Sequence, residues 1–176
     1  MKLFKHIKER GEFNKLYMAA VENDPTIMDL NEAEPITYIG EIPVIKNSYI
    51  LNSNNGIGAL ITKIYNKYYI VIDESFTMMS LNLKRFVLTH EIGHKECGHF
   101  EKLDGLEGLV VQLNLEYEAD RYAAEMIGYS NAIKALDELI DLANKILDKS
   151  IESNLMFAEL KVTLSMRRRQ LMKSKK

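Results

Sequence analysis

Residues 90–94 read His-Glu-Ile-Gly-His, and this stretch governs the interpretation of the whole chain. It lies in a segment, from about Leu81 to Gly98, that we predict to be a helix. Residues four apart share one face of a helix, so His90 and His94 can direct two imidazoles at one metal ion. Glu91 follows His90 directly and can reach a water molecule at that ion. This spacing is typical of a metal site with a general base.

A second stretch, Glu116–Asp120, lies in a following helix predicted from about residue 110 to 127. Glu116 and Asp120 are four apart and share a helical face. We therefore predict Glu116 as the third metal ligand. Asp120 is expected to accept a hydrogen bond from the outer nitrogen of a ligand histidine, His90. Glu118 lies about 200° round the helix from Glu116. It stays an alternative ligand, and a solvated charge or an ion-pair partner is the simpler interpretation.

The ligand set indicates a hydrolytic site. Zinc bound by two neutral histidines and one carboxylate keeps an open position for water. Glu91 is placed to take a proton from that water and to deliver it to a leaving amine. A further donor should stabilise the oxyanion of the tetrahedral intermediate. Tyr117 and Tyr122 are candidate donors, and the sequence does not choose between them.

Three neighbouring features of the motif helices lead to weaker predictions. Ala119, Ala123 and Ala124 are small and would let their helix approach the histidine-bearing helix closely. His99 lies about 140° from His94 on a continuing helix, so we expect it behind a ligand or on the surface. Cys97 is interpreted as a small, partly buried residue.

The pattern of the chain predicts an α+β fold. Residues 36–73 are rich in β-branched and aromatic residues and contain turn signals, which predicts a small, largely antiparallel sheet of three or four strands. Residues 81–127 form the helices of the site and 130–173 form C-terminal helices. Residues 1–35 are predicted to be an N-terminal helical segment. Together they make one domain, in which the strand at residues 68–73 could present an edge to an extended peptide.

The composition of the chain limits the classes of partner and the cellular compartment that we expect. The chain has 176 residues, of which 47% are hydrophobic, and a net charge of -2, which argues against a nucleic-acid partner. The basic cluster Arg167–Arg169 is interpreted as a solvated helix end. Cys97 is the only cysteine, and no apolar run reaches membrane-spanning length. We therefore expect a cytoplasmic protein with no membrane partner, whose oligomeric state is left open.

The motifs resemble those of gluzincin-type zinc peptidases, in two families. ImmA/IrrE metallopeptidases have a HELGH-like helix and an E-x-E-A-[DN]-x-x-A segment, which here is residues 116–123, with similar lead-in residues at 69–73 and 86–90. HtpX/CAAX-prenyl peptidases have similar HELGH and E-x-x-A-D segments, and their downstream pattern resembles the stretch from Gly128 to Leu139. Those relatives usually carry membrane helices, so a soluble minimal version would be needed. Both resemblances cover mainly residues 68–140.

The resemblance implies a zincin-type helical part, one Zn²⁺ per chain and a metalloendopeptidase that acts on a protein or peptide substrate. In the ImmA/IrrE case it implies a regulatory protease acting on a repressor. The main alternative is a non-catalytic or latent zinc-binding regulatory protein. Glu91 favours an enzyme, because a purely structural zinc site needs a fourth protein ligand and no base. A DNA-binding regulator that uses the basic C-terminal helix is disfavoured by the overall charge.

Overall fold

The structure, a computed structural model, describes residues 34–46, 58–64, 66–102, 109–147 and 154–175. The predicted N-terminal helical segment falls almost entirely outside the described residues. The strands and helices that carry the two motifs all lie within them.

The described strands form one four-stranded sheet. They are β1 (Thr37–Ile39), β2 (Ile42–Lys46), β3 (Ala59–Ile64) and β4 (Lys67–Ile72), in the spatial order β1-β2-β4-β3. The β1–β2 and β3–β4 pairs are antiparallel, and the central β2–β4 pair is parallel. The prediction of a small sheet followed by helices is confirmed.

The position of β4 corrects one prediction. β4 lies in the middle of the sheet, between β2 and β3, so the prediction that it presents an edge is wrong. The reason is that β3 folds back onto the outer side of β4, with Ile64 paired to Lys67 across a turn in which Asn66 has a φ of 63°. Asparagine tolerates this left-handed conformation better than most residues. Among the described strands, the edges are β1 and β3.

Helices follow the sheet. Within the described residues they are α1 (Glu74–Met78), α2 (Leu81–Glu96), α3 (His99–Lys102), α4 (Leu109–Ile127), α5 (Tyr129–Leu147) and α6 (Asn154–Ser174). The two helices that carry the motifs were predicted to within two residues at each end, whereas α1 and α3 are too short to show a periodic pattern. None of the described helices has both the length and the apolar character needed to cross a bilayer.

α2 is the central helix of the fold. It packs against β3 on one side and against α4 and α5 on others, and α6 packs against α4 and α5. The core between the sheet and α2 is formed by Ile61 and Ile70 from the sheet and by Leu83 and Phe86 from the helix, all of them fully buried. Because the motif helix is anchored by this core, its polar motif residues are held in a buried position.

Candidate metal centre

α2 carries both histidines of the first motif. Ser80 caps the helix by accepting a hydrogen bond from the Leu83 amide at 3.1 Å. One turn separates His90 from His94, and their Nε2 atoms lie 3.1 Å apart. Both side chains are buried, at 6% and 4% exposure. Two polar ring nitrogens thus meet in a buried place, where a polar group without a partner is costly.

Glu116 of α4 completes a group of three. Its Oε2 lies 3.3 Å from His90 Nε2, and its Oε1 lies 3.5 Å from His94 Nε2. Ligand atoms at about 2.0–2.1 Å from a tetrahedral zinc ion are themselves about 3.3–3.4 Å apart. The observed separations match this value to within a few tenths of an ångström. The three residues could therefore bind one metal ion.

The two ligand-bearing helices approach each other closely at Gly93. A Cβ atom on Gly93 would lie 3.0 Å from the Cα of Ala119 and 3.1 Å from its carbonyl oxygen. Ala119, Ala123 and Ala124 are fully buried, in agreement with the close approach predicted from their size. A glycine inside a helix costs about 1 kcal/mol relative to alanine. The contact between the helices explains why Gly93 is needed despite that cost.

Asp120 lies one turn after Glu116 and is fully buried. Its Oδ1 is 2.9 Å from His90 Nδ1. The ring can therefore donate from Nδ1 to this carboxylate while Nε2 is directed at Glu116 and His94. This is the contact that the sequence predicts for the outer nitrogen of His90. A carboxylate in this position fixes the tautomer and the orientation of a ligand histidine.

Arg167 of α6 is the main site residue that sequence reasoning missed. Its Nε and Nη2 donate to Oδ2 and Oδ1 of Asp120, at 2.7 and 2.6 Å. Its Nη1 lies 2.9 Å from Glu116 Oε2. The interpretation of Arg167–Arg169 as a solvated helix end is therefore wrong for Arg167, which is buried, whereas Arg169 is exposed. The physical reason is that α6 packs against α4, where the buried carboxylate of Asp120 and the half-buried carboxylate of Glu116 require a cation.

The charges of His90, Glu116, Asp120 and Arg167 shift one another's pKa values. Burial and the charge of Arg167 oppose protonation of His90, but hydrogen bonds to Asp120 and Glu116 outweigh them and raise the pKa of His90 to about 9. Burial also opposes ionisation of the two carboxylates. The nearby Arg167 and His90 nevertheless hold the pKa of Glu116 well below its usual value and lower the pKa of Asp120. The carboxylates are thus ready to act as charged ligand and charged acceptor.

Glu91 is held by the sheet. The amide of Ile61, in the edge strand β3, donates to Glu91 Oε2 at 2.9 Å in a buried setting. Glu91 itself is only 5% exposed. This backbone hydrogen bond restricts the carboxylate to one orientation beside the histidines. The contact could not be foreseen from the sequence, because it joins residues 30 positions apart.

His99 lies behind His94. Its Nδ1 is 2.9 Å from His94 Nδ1, and its Nε2 is 3.0 Å from Glu118 Oε2. His99 is 1% exposed, so the surface alternative is wrong and the position behind a ligand is correct. The angular argument assumed a continuing helix, but α2 ends before Gly98, where a φ of 67° turns the chain back. Glu118 lies at ion-pair distance from His99, 3.0 Å from its Nε2, as the simpler interpretation predicts.

A second group of candidate ligands overlaps with this contact. Cys97, His99 and Glu118 have ligand atoms within 4.8 Å of one another, so this group too could hold a metal ion. Cys97 is half-buried, which agrees with the prediction.

The two candidate oxyanion donors occupy different parts of α4. Burial and the nearby charge of Asp120 raise the pKa of Tyr117. The Cβ of Tyr122 packs against α2, 3.3 Å from where a Cβ on Gly93 would lie. Both tyrosines are half-buried. The role of oxyanion donor stays a prediction for each of them.

The sequence does contain a signal for Arg167. Leu160, Leu164 and Leu171 follow one face of α6 at helical spacing, and Arg167 falls on that same face. A charged residue inside an apolar stripe indicates a buried partner of opposite charge. Gly93, inside a helix, carries a comparable signal for a close approach.

Comparisons with family models, with curated proteins and with solved structures found no match to this chain.

Proposed function

We propose that this protein is a zinc-dependent metalloendopeptidase that hydrolyses a peptide bond in a protein substrate. One observation carries the proposal. The Nε2 atoms of His90 and His94 lie 3.1 Å apart and contact the two oxygens of the Glu116 carboxylate at 3.3 and 3.5 Å, and Glu91, which follows His90 in the chain, is buried as well. Two histidines, one carboxylate and an adjacent base are the parts of a hydrolytic zinc site with an open position.

The chemistry divides between the metal and the chain. Zinc held by His90, His94 and Glu116 would supply Lewis-acid polarisation of a peptide carbonyl and of a water molecule. Glu91 accepts the proton of the attacking water and returns it to the nitrogen of the leaving amine. The Ile61 amide keeps the Glu91 carboxylate oriented for both transfers. Preorganisation of this kind lowers the cost of reaching the transition state.

Arg167 organises the ligands. Its guanidinium bridges Asp120 and Glu116, and Asp120 in turn holds the ring of His90. The positions of His90, Asp120 and Glu116 are thereby coupled through the side chain of Arg167. This cation also offsets the repulsion between the buried Asp120 and the half-buried Glu116, so that both carboxylates stay ionised before metal binds.

The substrate edge is assigned to β3 rather than to β4. β3 is an edge of the described sheet, and its Ile61 amide is directed at Glu91. An extended peptide that adds to a sheet edge gains backbone hydrogen bonds and presents alternate side chains to the enzyme. A flexible segment of a protein, such as a linker in a repressor, suits this mode of binding.

The first test combines metal analysis with proteolysis. We expect about one zinc per chain in the wild type and in Glu91→Gln, and weakened binding in Glu116→Ala. Cleavage of an unfolded protein mixture, read by mass spectrometry, should be lost in Glu91→Gln. Glu96→Gln is the matched control, because Glu96 is exposed on the same helix and should leave both properties unchanged. A wild-type chain that binds no supplied zinc would reject the proposal.

A second candidate is a regulatory protein whose zinc site is latent or non-catalytic. The observation that favours it is the ion pair between Arg167 and Glu116, because it keeps a candidate ligand paired without a metal. The metal analysis and proteolysis test also distinguishes the peptidase from the regulatory protein. If the zinc-loaded wild type stays folded during a long incubation and cleaves nothing, the result supports the regulatory protein.

A further inference from the structure

His99 and Glu118 lie outside the ligand group and are not used by the proposed reaction. Both nitrogens of His99 are engaged, one by His94 Nδ1 at 2.9 Å and the other by Glu118 Oε2 at 3.0 Å. His99 is 1% exposed. The arrangement is a continuous line of polar contacts from a candidate metal ligand to a half-exposed carboxylate.

We propose that His99 and Glu118 are positioning residues that hold His94 in the one tautomer able to bind the metal. The proposal deepens the proposed function and rests on its metal site. It gives His94 what Asp120 gives His90, namely an acceptor for the proton on the outer nitrogen.

The direction of the hydrogen bonds follows from counting donors. A neutral histidine that binds metal through Nε2 carries its proton on Nδ1. His94 Nδ1 therefore donates, and His99 Nδ1 accepts. The proton of a neutral His99 is then on Nε2, which faces the Glu118 carboxylate. Each donor meets an acceptor, and the line ends on a group that can only accept.

The opposite direction does not support metal binding. If His99 donated from Nδ1, then His94 Nδ1 would have to accept, and the proton of a neutral His94 would lie on Nε2. That nitrogen is 3.1 Å from His90 Nε2, at the ligand position. Glu118 disfavours this arrangement because it favours a proton on the Nε2 of His99.

Counting donors and acceptors also argues against a second metal ion at Cys97, His99 and Glu118. A metal on His99 Nε2 would move the proton of a neutral His99 to Nδ1. Two N–H groups would then face each other across the 2.9 Å between His94 and His99. Occupation of the first site therefore favours the positioning role of His99 over a ligand role.

The experiment uses the full chain and Zn²⁺ as the probe. Zinc affinity is measured by competition with a chromophoric chelator for the wild type, Glu118→Ala, Glu118→Gln and Cys97→Ala. Glu118 is half-exposed, so both of its variants should fold. Glu125→Ala is the matched control, because Glu125 is exposed on the same helix.

We expect Glu118→Ala to weaken zinc binding about tenfold, the lower end of the usual effect for a residue that orients a ligand histidine. Glu118→Gln should recover part of the loss, because its amide oxygen still accepts from His99 Nε2. Cys97→Ala and Glu125→Ala should bind zinc as the wild type does. Long-range ¹H–¹⁵N spectra of the zinc-loaded protein should show protons on His94 Nδ1 and His99 Nε2.

Three results would overturn the positioning role. They are an unchanged affinity in Glu118→Ala, a proton on His99 Nδ1 in the loaded protein, and a second zinc per chain that is lost in Cys97→Ala. Each of these results leaves the site at His90, His94 and Glu116 intact, so each rejects only the positioning role of His99 and Glu118. Absence of any zinc binding by the wild type rejects the metal site and the positioning role together.

Discussion

The guanidinium of Arg167 donates to both carboxylate oxygens of Asp120, at 2.7 Å from Nε to Oδ2 and at 2.6 Å from Nη2 to Oδ1. The two residues are 47 positions apart in the chain. Both are buried, and the same guanidinium also contacts Glu116. The C-terminal helix is thus connected directly to the residues that hold the candidate metal ligands.

Replacement of Arg167 should destabilise the fold strongly. Arg167→Met leaves Asp120 buried without its cation, and removal of one partner of a buried ion pair typically costs about 3–5 kcal/mol. Arg169→Met, at an exposed position of the same helix, should change the free energy of unfolding by less than about 0.5 kcal/mol. Urea unfolding of the metal-free proteins at neutral pH measures both values. Equal stabilities for the two variants would contradict a buried, paired Arg167.

The metal-free protein should lose stability in acid through the same cluster. The pKa of Asp120 is lowered from 3.8 and that of Glu116 from 4.5, so the unfolded chain binds these protons more readily than the folded one. Their contribution to stability is therefore present above these usual values and is lost as pH falls through the lowered ones. Unfolding free energies measured at decreasing pH should show a steeper acid decline for the wild type than for Asp120→Asn. Asp141→Asn, exposed on α5, is the control and should decline as the wild type does.

Zinc affinity should rise with pH. In the metal-free protein the pKa of His90 is about 9, so zinc must displace a proton from this ring below that pH. Affinity should therefore increase by up to about tenfold per pH unit between about pH 7 and 9 and then level off. In Asp120→Asn, a hydrogen bond that raises the pKa of His90 is weakened, so the levelling should begin at a lower pH. Chelator competition across this range gives the slope, and a flat wild-type profile would refute the assignment of His90 as a ligand.

Gly93→Ala should separate the two ligand-bearing helices. The added Cβ would lie 3.0 Å from the Cα of Ala119, where both contacting segments are helical backbone. Overpacking of this kind typically costs about 1–3 kcal/mol. Replacing glycine by alanine in a helix gains only about 1 kcal/mol in helix propensity, so the net effect is destabilising. We expect lower stability and weaker zinc binding, since Glu116 moves relative to the histidines. Arg85→Ala, at an exposed position of α2, should show neither effect; a more stable Gly93→Ala would contradict the close approach.

The local part of the site could be predicted from the sequence. His90 with His94, and Glu116 with Asp120, are pairs four residues apart, and helical geometry alone places each pair on one face. The contact of Asp120 with His90 was also predicted, because Asp120 shares a helical face with Glu116 and a ligand histidine commonly donates its outer N–H to a carboxylate. The order of the sheet was not, since the strand pattern is the same for a central and an edge strand.

For His99, local reasoning left two alternatives, a position behind a ligand and one on the surface. The left-handed turn at Gly98 brings His99 back against His94 and so decides between them. A change in a single φ angle redirects the whole following segment. The contact with Glu118 then follows from the packing of α4 beside α2, which no local pattern specifies.

The 3.6-residue period is a local property of the backbone, so the amino-acid sequence alone pairs His90 with His94 and Glu116 with Asp120 on shared helical faces. Glu91 was predicted as the base because it directly follows His90 in the motif. No local pattern specifies that Arg167 is buried between Asp120 and Glu116, or that β3 rather than β4 lies at the edge of the described sheet. These features depend on how distant elements pack, and packing is set by the burial of many side chains at once.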